Sequence, residues 1–368
     1  MRTIRLNLKK ISTIFGFALT FSSGVASGYS ELSDFYNGVR SLGMGGAYTA
    51  IVNDETALLT NPAGISRLRD KIVTVFDPEF SGNTNITEML PAHKLTGAAI
   101  QSPYDLLQLL KENPGKHWYA KAQVFPSFAA PNVGFGLHAK WKYDAEVNSE
   151  STNYRLDYVQ DYAAVLGFSL KFFGGIVKLG GSARYVNRTE IHRDFDPNVA
   201  SIDMNQVASE GTGLAVNAGL ILTAPVQWLP TLAVTVRDVG TTSYALTSGM
   251  FLQTQTRPAD SPQVVDVGFA LNPLLSNTTR MVITADYHDA LNAYQDEDAM
   301  KRIHAGVELN FDDVCFLRGG YHQRYWTAGF EIAGRFIQVQ AATYGEEIGT
   351  SNAPKEDRRW VGKFSVRF

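Results

Sequence analysis

From Lys71 onward, apolar and polar residues alternate with a period of two, as in strands whose two faces meet different surroundings. In 302–311, Ile303, Ala305, Val307, Leu309 and Phe311 share one face, and His304, Gly306, Glu308 and Asn310 share the other. In 280–288, Met281, Ile283, Ala285 and Tyr287 oppose Thr284, Asp286 and His288. In 132–144, Val133, Phe135, Leu137, Ala139, Trp141 and Tyr143 oppose His138, Lys140, Lys142 and glycines. Applied along the chain, the criterion predicts about 14 strands. They span 71–80, 118–128, 132–144, 161–173, 175–188, 211–223, 230–239, 263–272, 280–288, 302–311, 314–322, 325–334, 336–344 and 358–368.

The connections alternate in length. Short turns follow strands two, four, eight, ten and twelve, and long polar loops follow strands one, three, five, seven, nine and thirteen. Short turns at one end and long loops at the other describe a transmembrane antiparallel β-barrel, and an even strand count returns both termini to one side. The short link Gln323-Arg324 after strand eleven breaks this alternation. A soluble sandwich would also alternate, but its polar face would carry more charge and fewer glycines. The expected fold is therefore all-β, with Val307 and Leu309 toward lipid and Glu308 toward the lumen.

The first 26 residues read as a secretory signal: basic Arg2, Arg5, Lys9 and Lys10, then an apolar run over 11–21, then small residues around Gly24-Val25-Ala26. A membrane-spanning helix needs about 20 apolar residues, more than this run provides. No cysteine stands just after the signal, so a lipid anchor is not expected.

Residues 40–66 read RSLGMGGAYTAIVNDETALLTNPAGIS. The glycines 43, 45 and 46 allow positive φ and close backbone approach. Asn61-Pro62-Ala63-Gly64 is a strong turn signal. The stretch between is too short to form its own core and must pack inside something else. A phosphate-binding loop would need a strand before the glycines and a helix after them within a βαβ unit, and neither is predicted. This stretch resembles the N-terminal hatch of the FadL-type outer-membrane transporters of long-chain fatty acids, and in pattern is closest to the related PorV-like and TraF-like barrels. In that superfamily a GMGGAY run leads through ND and NPAG to the first barrel strand. The resemblance implies a signal over 1–26, a hatch over 27–70 and an outer-membrane barrel over 71–368. It marks Gly43, Gly45, Gly46, Asp54, Asn61, Pro62, Ala63 and Gly64 as the hatch motif. It further implies transport of hydrophobic compounds such as long-chain fatty acids in a Gram-negative outer membrane, with lipopolysaccharide around the barrel. The alternative is a PorV-like barrel that binds a protein partner at its long loops and serves a secretion system.

Two further segments add to this. In the first long loop, 104–112 reads YDLLQLLKE and sets Leu106, Leu107, Leu109 and Leu110 at helical spacing. This predicts a short amphipathic helix over the barrel mouth, acting either as an apolar capture site for an acyl chain or as ordinary loop packing. At the C-terminus Trp360, Phe364, Val366 and Phe368 oppose Lys363, Ser365 and Arg367. A terminal Phe368 on an alternating strand resembles the signal read by the barrel-assembly machinery.

Composition narrows the function classes. The 368 residues carry a formal net charge of −3, which speaks against a nucleic-acid partner. The single cysteine, Cys315, has no metal-ligand spacing around it. No nucleophile elbow or zinc-protease motif occurs, so neither an enzyme nor a cofactor or metal is expected. The inward faces mix signs. Lys140, Arg184, Arg237 and Arg318 are candidate lumen cations, serving either charge pairing or reception of a substrate carboxylate.

Overall fold

The computed structural model describes residues 31, 34–86, 102–246 and 250–368. The predicted signal segment lies outside the described residues. The barrel is a single closed antiparallel sheet of fourteen strands. β1 has two halves, Ile72–Phe76 and Glu79–Asn83, and β2 has two halves, His117–Val124 and Ser127–Ala130. Both breaks fall at a proline, Pro78 and Pro126, where the ladder loses an N–H donor. The breaks repair each other, because the Phe125 N–H donates to the Asp77 carboxylate at 2.5 Å. There follow β3 (Val133–Val147), β4 (Tyr154–Phe172), β5 (Val177–Phe195), β6 (Ser209–Thr223), β7 (Thr231–Arg237) and β8 (Val264–Leu271). Then come β9 (Thr279–Tyr287), β10 (Ile303–Phe311), β11 (Cys315–His322), β12 (Tyr325–Ala333), β13 (Ile337–Glu347) and β14 (Glu356–Arg367). A two-residue strand, Ala245–Leu246, adds to β6. The cylinder closes where β14 pairs with both halves of β1, Lys363 opposite Glu79 and Arg367 opposite Thr74.

The alternation of the sequence becomes the inside and outside of this wall. On β10, His304, Gly306 and Glu308 are buried, while Ile303 and Phe311 are exposed and Val307 and Leu309 half-exposed. Around the outside runs a band of large apolar side chains, including Phe80, Phe135, Leu166, Phe168, Leu214, Phe269, Trp326, Phe330 and Phe364. Such a band on a closed sheet satisfies every requirement of lipid: apolar contact outside and no unpaired sheet edge. No helix among the described residues is long and apolar enough to cross a membrane; the apolar band is carried by the strands.

The strands extend further than the sequence pattern indicates. The segments expected as long loops after the third and fifth strands are largely strand: β3, β4 and β5 run for 15, 19 and 19 residues. A membrane-spanning strand needs about 9–11 residues, so this side of the wall stands well above the bilayer. The excess was hidden because the outward positions there, Tyr154, Leu156, Tyr158 and Ile191, are buried under loops rather than facing lipid. At the opposite end the turns are tight. Asp312 and Asp313 both take positive φ, 58° and 56°, in the three-residue connection between the paired Phe311 and Cys315.

The band makes a direct prediction. Val307→Arg is expected to lower unfolding stability by roughly 2–4 kcal/mol, as for a cation near the lipid midplane, whereas Thr152→Arg at an exposed loop tip is expected to be neutral. Urea unfolding in vesicles measures both, and equal stability would mean that Val307 does not face lipid.

The lumen and the N-terminal segment as candidate functional site

Residues 34–68 lie against the inward faces of the strands. They hold a one-turn helix, α1 (Val39–Gly43), and two 3-10 helices, Glu55–Leu58 and Pro62–Arg67. Met44, Ala50, Val52, Ala57, Leu58, Ala63 and Ile65 are fully buried, in one cluster with Phe125, Ala129, Ala163, Val165, Val186, Ile221, Ala233 and Ala270 of the wall. The lumen thus has an apolar side on β2–β8, built mostly from small residues, which the sequence reading did not single out.

Backbone approach decides where the glycines fall. Gly45 and Gly46 take φ of +68° and +86°, and a Cβ on Gly45 would stand 2.5 Å from the Ala305 carbonyl. The wall mirrors this: a Cβ on Gly306 would meet the Met44 carbonyl at 2.3 Å, and one on Gly180 would meet the Pro62 carbonyl carbon at 2.3 Å. Inward glycines of the wall are therefore the sockets into which the segment fits. Gly43 sits on β12, where a Cβ would be 3.3 Å from Gly329 Cα, and Gly64 turns against Val52. Asn61 caps the second 3-10 helix by accepting from the Ala63 N–H at 3.2 Å and donates to the Thr49 carbonyl at 3.0 Å, with Pro62 as first residue of that helix. Asp54 caps the first by accepting from the Thr56 N–H, and also accepts from the Tyr48 hydroxyl at 2.6 Å. Burial acts to raise the Asp54 carboxyl, but Arg40 and the hydrogen bonds from Thr56 and Tyr48 hold it below its ordinary range. Glu55 beside it is pushed up by burial and by Asp54.

The four candidate cations all point inward, and each already has a carboxylate. Lys140 pairs with Asp161 at 3.0 Å and donates to the Phe35 carbonyl at 2.9 Å. Arg184 pairs with Asp238 at 2.6 Å. Arg237 pairs with Asp34 and with Asp266, both at 2.7 Å. Arg318 bridges Glu308 at 2.7 Å and Glu331 at 2.5 Å, and Glu308 also takes Arg40 of the segment at 2.9 Å. The arrangement is charge pairing across the lumen rather than a cation held open for a ligand.

Two constellations lay beyond the sequence reading. The Glu31 carboxylate accepts from Tyr119 at 2.8 Å, Lys121 at 3.2 Å, Tyr344 at 2.9 Å and Arg359 at 2.7 Å. His288, just past the end of β9, forms a row with His304 of β10 and His322 of β11, with ring separations of 4.2 and 4.9 Å, and Nδ1 of His304 lies 2.8 Å from the Gly45 carbonyl. Their spacing becomes a row through strand register alone, His304 opposite Asp286 and His322.

Between the segment and the wall lie two clefts. One, of about 650 Å³, is bounded by Phe35, Tyr36, Tyr48, Leu59, Val264 and Tyr294, with Arg184, Arg237, Asp34, Asp238, Asp266 and His288 at its polar edge. The other, of about 440 Å³ on the short-turn side, is polar and includes Arg40, Glu55, Gln338, Gln340, Lys363 and Arg367.

The predicted helix in the first loop forms as α2 (Pro103–Lys111), with Ser102 and Asp105 in a capping box. Its apolar stripe is not an open landing surface. Leu106, Leu107 and Leu110 are fully buried with Trp118, Ala145, Val147, Tyr154, Leu156 and Ile191, and Leu109 packs half-buried at the edge. The physical reason is the height of β3–β5, whose upper outer faces offer the helix an apolar wall.

No protein-family model matches the sequence, and no curated protein matches it significantly. Solved structures do match in fold. The toluene transporter TbuX of Ralstonia pickettii aligns at a TM-score of 0.54 and 13% identity, over 92% of this chain and 99% of that one. The monoaromatic hydrocarbon channel CymD aligns at 0.57 and 10% identity, over 92% and 98%. A FadL homologue of Pseudomonas aeruginosa aligns at 0.50 and 10% identity, over 90% and 97%. The chain has the fold of these FadL-type barrels over nearly its whole length.

The packing of α2 predicts the behaviour of one variant. Leu106→Ser with Leu110→Ser is expected to release the helix, since each buried leucine lost costs on the order of 2–5 kcal/mol. New proteolytic cleavage within 102–116, with the barrel still migrating as folded on gels, is the expected outcome. Unchanged protease resistance would show that the leucines are dispensable to packing.

Proposed function

We propose that the protein carries small hydrophobic compounds across a Gram-negative outer membrane, reached by a cleaved N-terminal signal and by assembly through the strand ending in Phe368. The segment 34–68 serves as a hatch. The observation that carries this reading is the larger cleft. It sets the apolar and aromatic groups Phe35, Tyr36, Tyr48, Leu59, Val264 and Tyr294 beside charged groups already matched to one another, the kind of mixed lining that binds and orients small molecules. It sits inside a barrel whose fold is shared with hydrocarbon channels.

The chemistry of the cleft bears on the cargo. Its arginines are already matched by Asp34, Asp238 and Asp266. An entering carboxylate would meet three carboxylates and no unpaired guanidinium, so a neutral aromatic or aliphatic compound suits the cleft better than a long-chain fatty acid. The hatch touches the cleft through Phe35, Tyr36, Tyr48 and Leu59. Passage onward therefore requires the hatch to shift, with its charged attachments on β9–β14 acting as the fixed side.

Uptake of toluene and of oleate by cells lacking their own hydrophobic-compound channels, with and without this protein, tests the reading. Toluene entry is expected to rise severalfold and oleate entry to rise less. Val264→Trp, which fills the cleft from β8, is expected to abolish the gain while leaving the folded barrel on gels. No gain for either compound would refute transport, and a larger gain for oleate would restore the fatty-acid assignment.

A further inference from the structure

The outer wall of β3–β6 changes character at one level. Leu137, Ala164, Tyr185 and Leu214 form a row across four strands in register and face outward into lipid. Leu137 and Leu214 are 62% and 65% exposed. Two residues higher, Ala139, Tyr162, Asn187 and Thr212 form the next outward row, and Asn187 is already buried. Above that, Tyr158, Leu156, Tyr154 and Ile191 lie beneath α2, Val199, Ile202, Met204, Val207 and Leu252. The level of change matches the bilayer. From Phe172 at the short-turn end to Tyr162 is ten residues, or roughly 33 Å of strand at ~3.3 Å per residue. At a tilt of about 40° that is roughly 25 Å of height, the height of an outward apolar band.

The loop joining β7 to β8 reaches down to this boundary. The Phe251 ring lies 5.1 Å from Tyr162, which lies 5.6 Å from Trp141. Its backbone is fixed by the wall: the fully buried Glu210 carboxylate accepts from the Phe251 N–H at 3.1 Å and the Leu252 N–H at 2.8 Å. Yet Phe251 and its neighbour Met250 are 55% and 53% exposed. A loop layer that covers Tyr154, Leu156, Tyr158 and Ile191 leaves Met250 and Phe251 uncovered, with Phe251 against Tyr162 at the height where lipid begins.

We propose that Met250 and Phe251 are a membrane foot. The loop layer over β3–β6 rests through them on the boundary between acyl chains and headgroups, in the leaflet on the long-loop side. Tyr162 and Trp141 complete an aromatic patch of the kind that marks membrane interfaces. The surface is continuous with the lipid-facing band directly beneath it, and the partner it fits is a lipid surface.

Site-directed spin labelling tests this in phosphatidylcholine vesicles, on a Cys315→Ser background, with Met250→Cys and Phe251→Cys each labelled alone. Leu166→Cys serves as the lipid-facing control and Thr152→Cys as the water-facing one. The ratio of oxygen to nickel-chelate accessibility is expected to fall between the two controls, or at the lipid control, for both positions. Met250→Cys retains Phe251, so the answer does not depend on the aromatic being replaced. A ratio equal to that of Thr152→Cys at Met250 would place the foot in water and overturn the proposal, as it would if a protein partner covered this patch instead.

Discussion

A closed wall of fourteen strands encloses more space than inward side chains can fill. Eight strands are about the number whose interior side chains can pack solid. The lumen of this barrel must therefore be water-filled or occupied, and residues 34–68 occupy it. Much of the inner surface follows from that constraint. Where the segment's backbone comes closest to the backbone of the wall, as at Met44 on Gly306 and Pro62 on Gly180, the wall carries glycine.

The occupied lumen has two unlike sides. Toward β2–β8 much of the contact is apolar and close-packed, with Asp34 and Phe35 at its edge held by Arg237 and Lys140. Toward β9–β14 it is ionic: Glu308 lies between Arg40 and Arg318, and Asp286 accepts from the Tyr48 and Thr49 N–H groups at 2.7 Å each. Buried ion pairs add little net stability, because desolvation offsets much of their attraction, but removing one partner strands a charge. Such pairs hold one arrangement against near alternatives. The cleft lies where the segment leaves the wall between the two sides, lined by aromatic rings from the segment and closed by matched charges from the barrel.

The period-two pattern made the wall legible, down to the facing of Val307 and Glu308, because lipid and lumen impose opposite demands on neighbouring residues. The glycine and Asn-Pro signals of residues 43–64 were legible for the same kind of reason, since positive φ and helix capping restrict residue type locally. The upper wall was not legible. Tyr154, Leu156 and Tyr158 alternate like lipid-facing positions, but α2 and two loops cover them, and no local pattern distinguishes a loop from a bilayer. For the same reason the leucines of α2 looked available when they were buried. The histidine row and the Glu31 cage depend on register between strands distant in sequence, which spacing along the chain does not encode. The pairing of Lys140, Arg184, Arg237 and Arg318 likewise appears only once their carboxylates are placed opposite them.

Ionic conductance in planar bilayers tests most directly whether the segment fills and seals the lumen. The intact chain is compared with a Gly180→Val, Gly306→Val variant, in which two sockets are filled from the wall side. The account predicts a nearly non-conducting intact barrel and a variant that conducts steadily while remaining a folded barrel on gels. Equal conductance of the two proteins, whether both closed or both open, would contradict it.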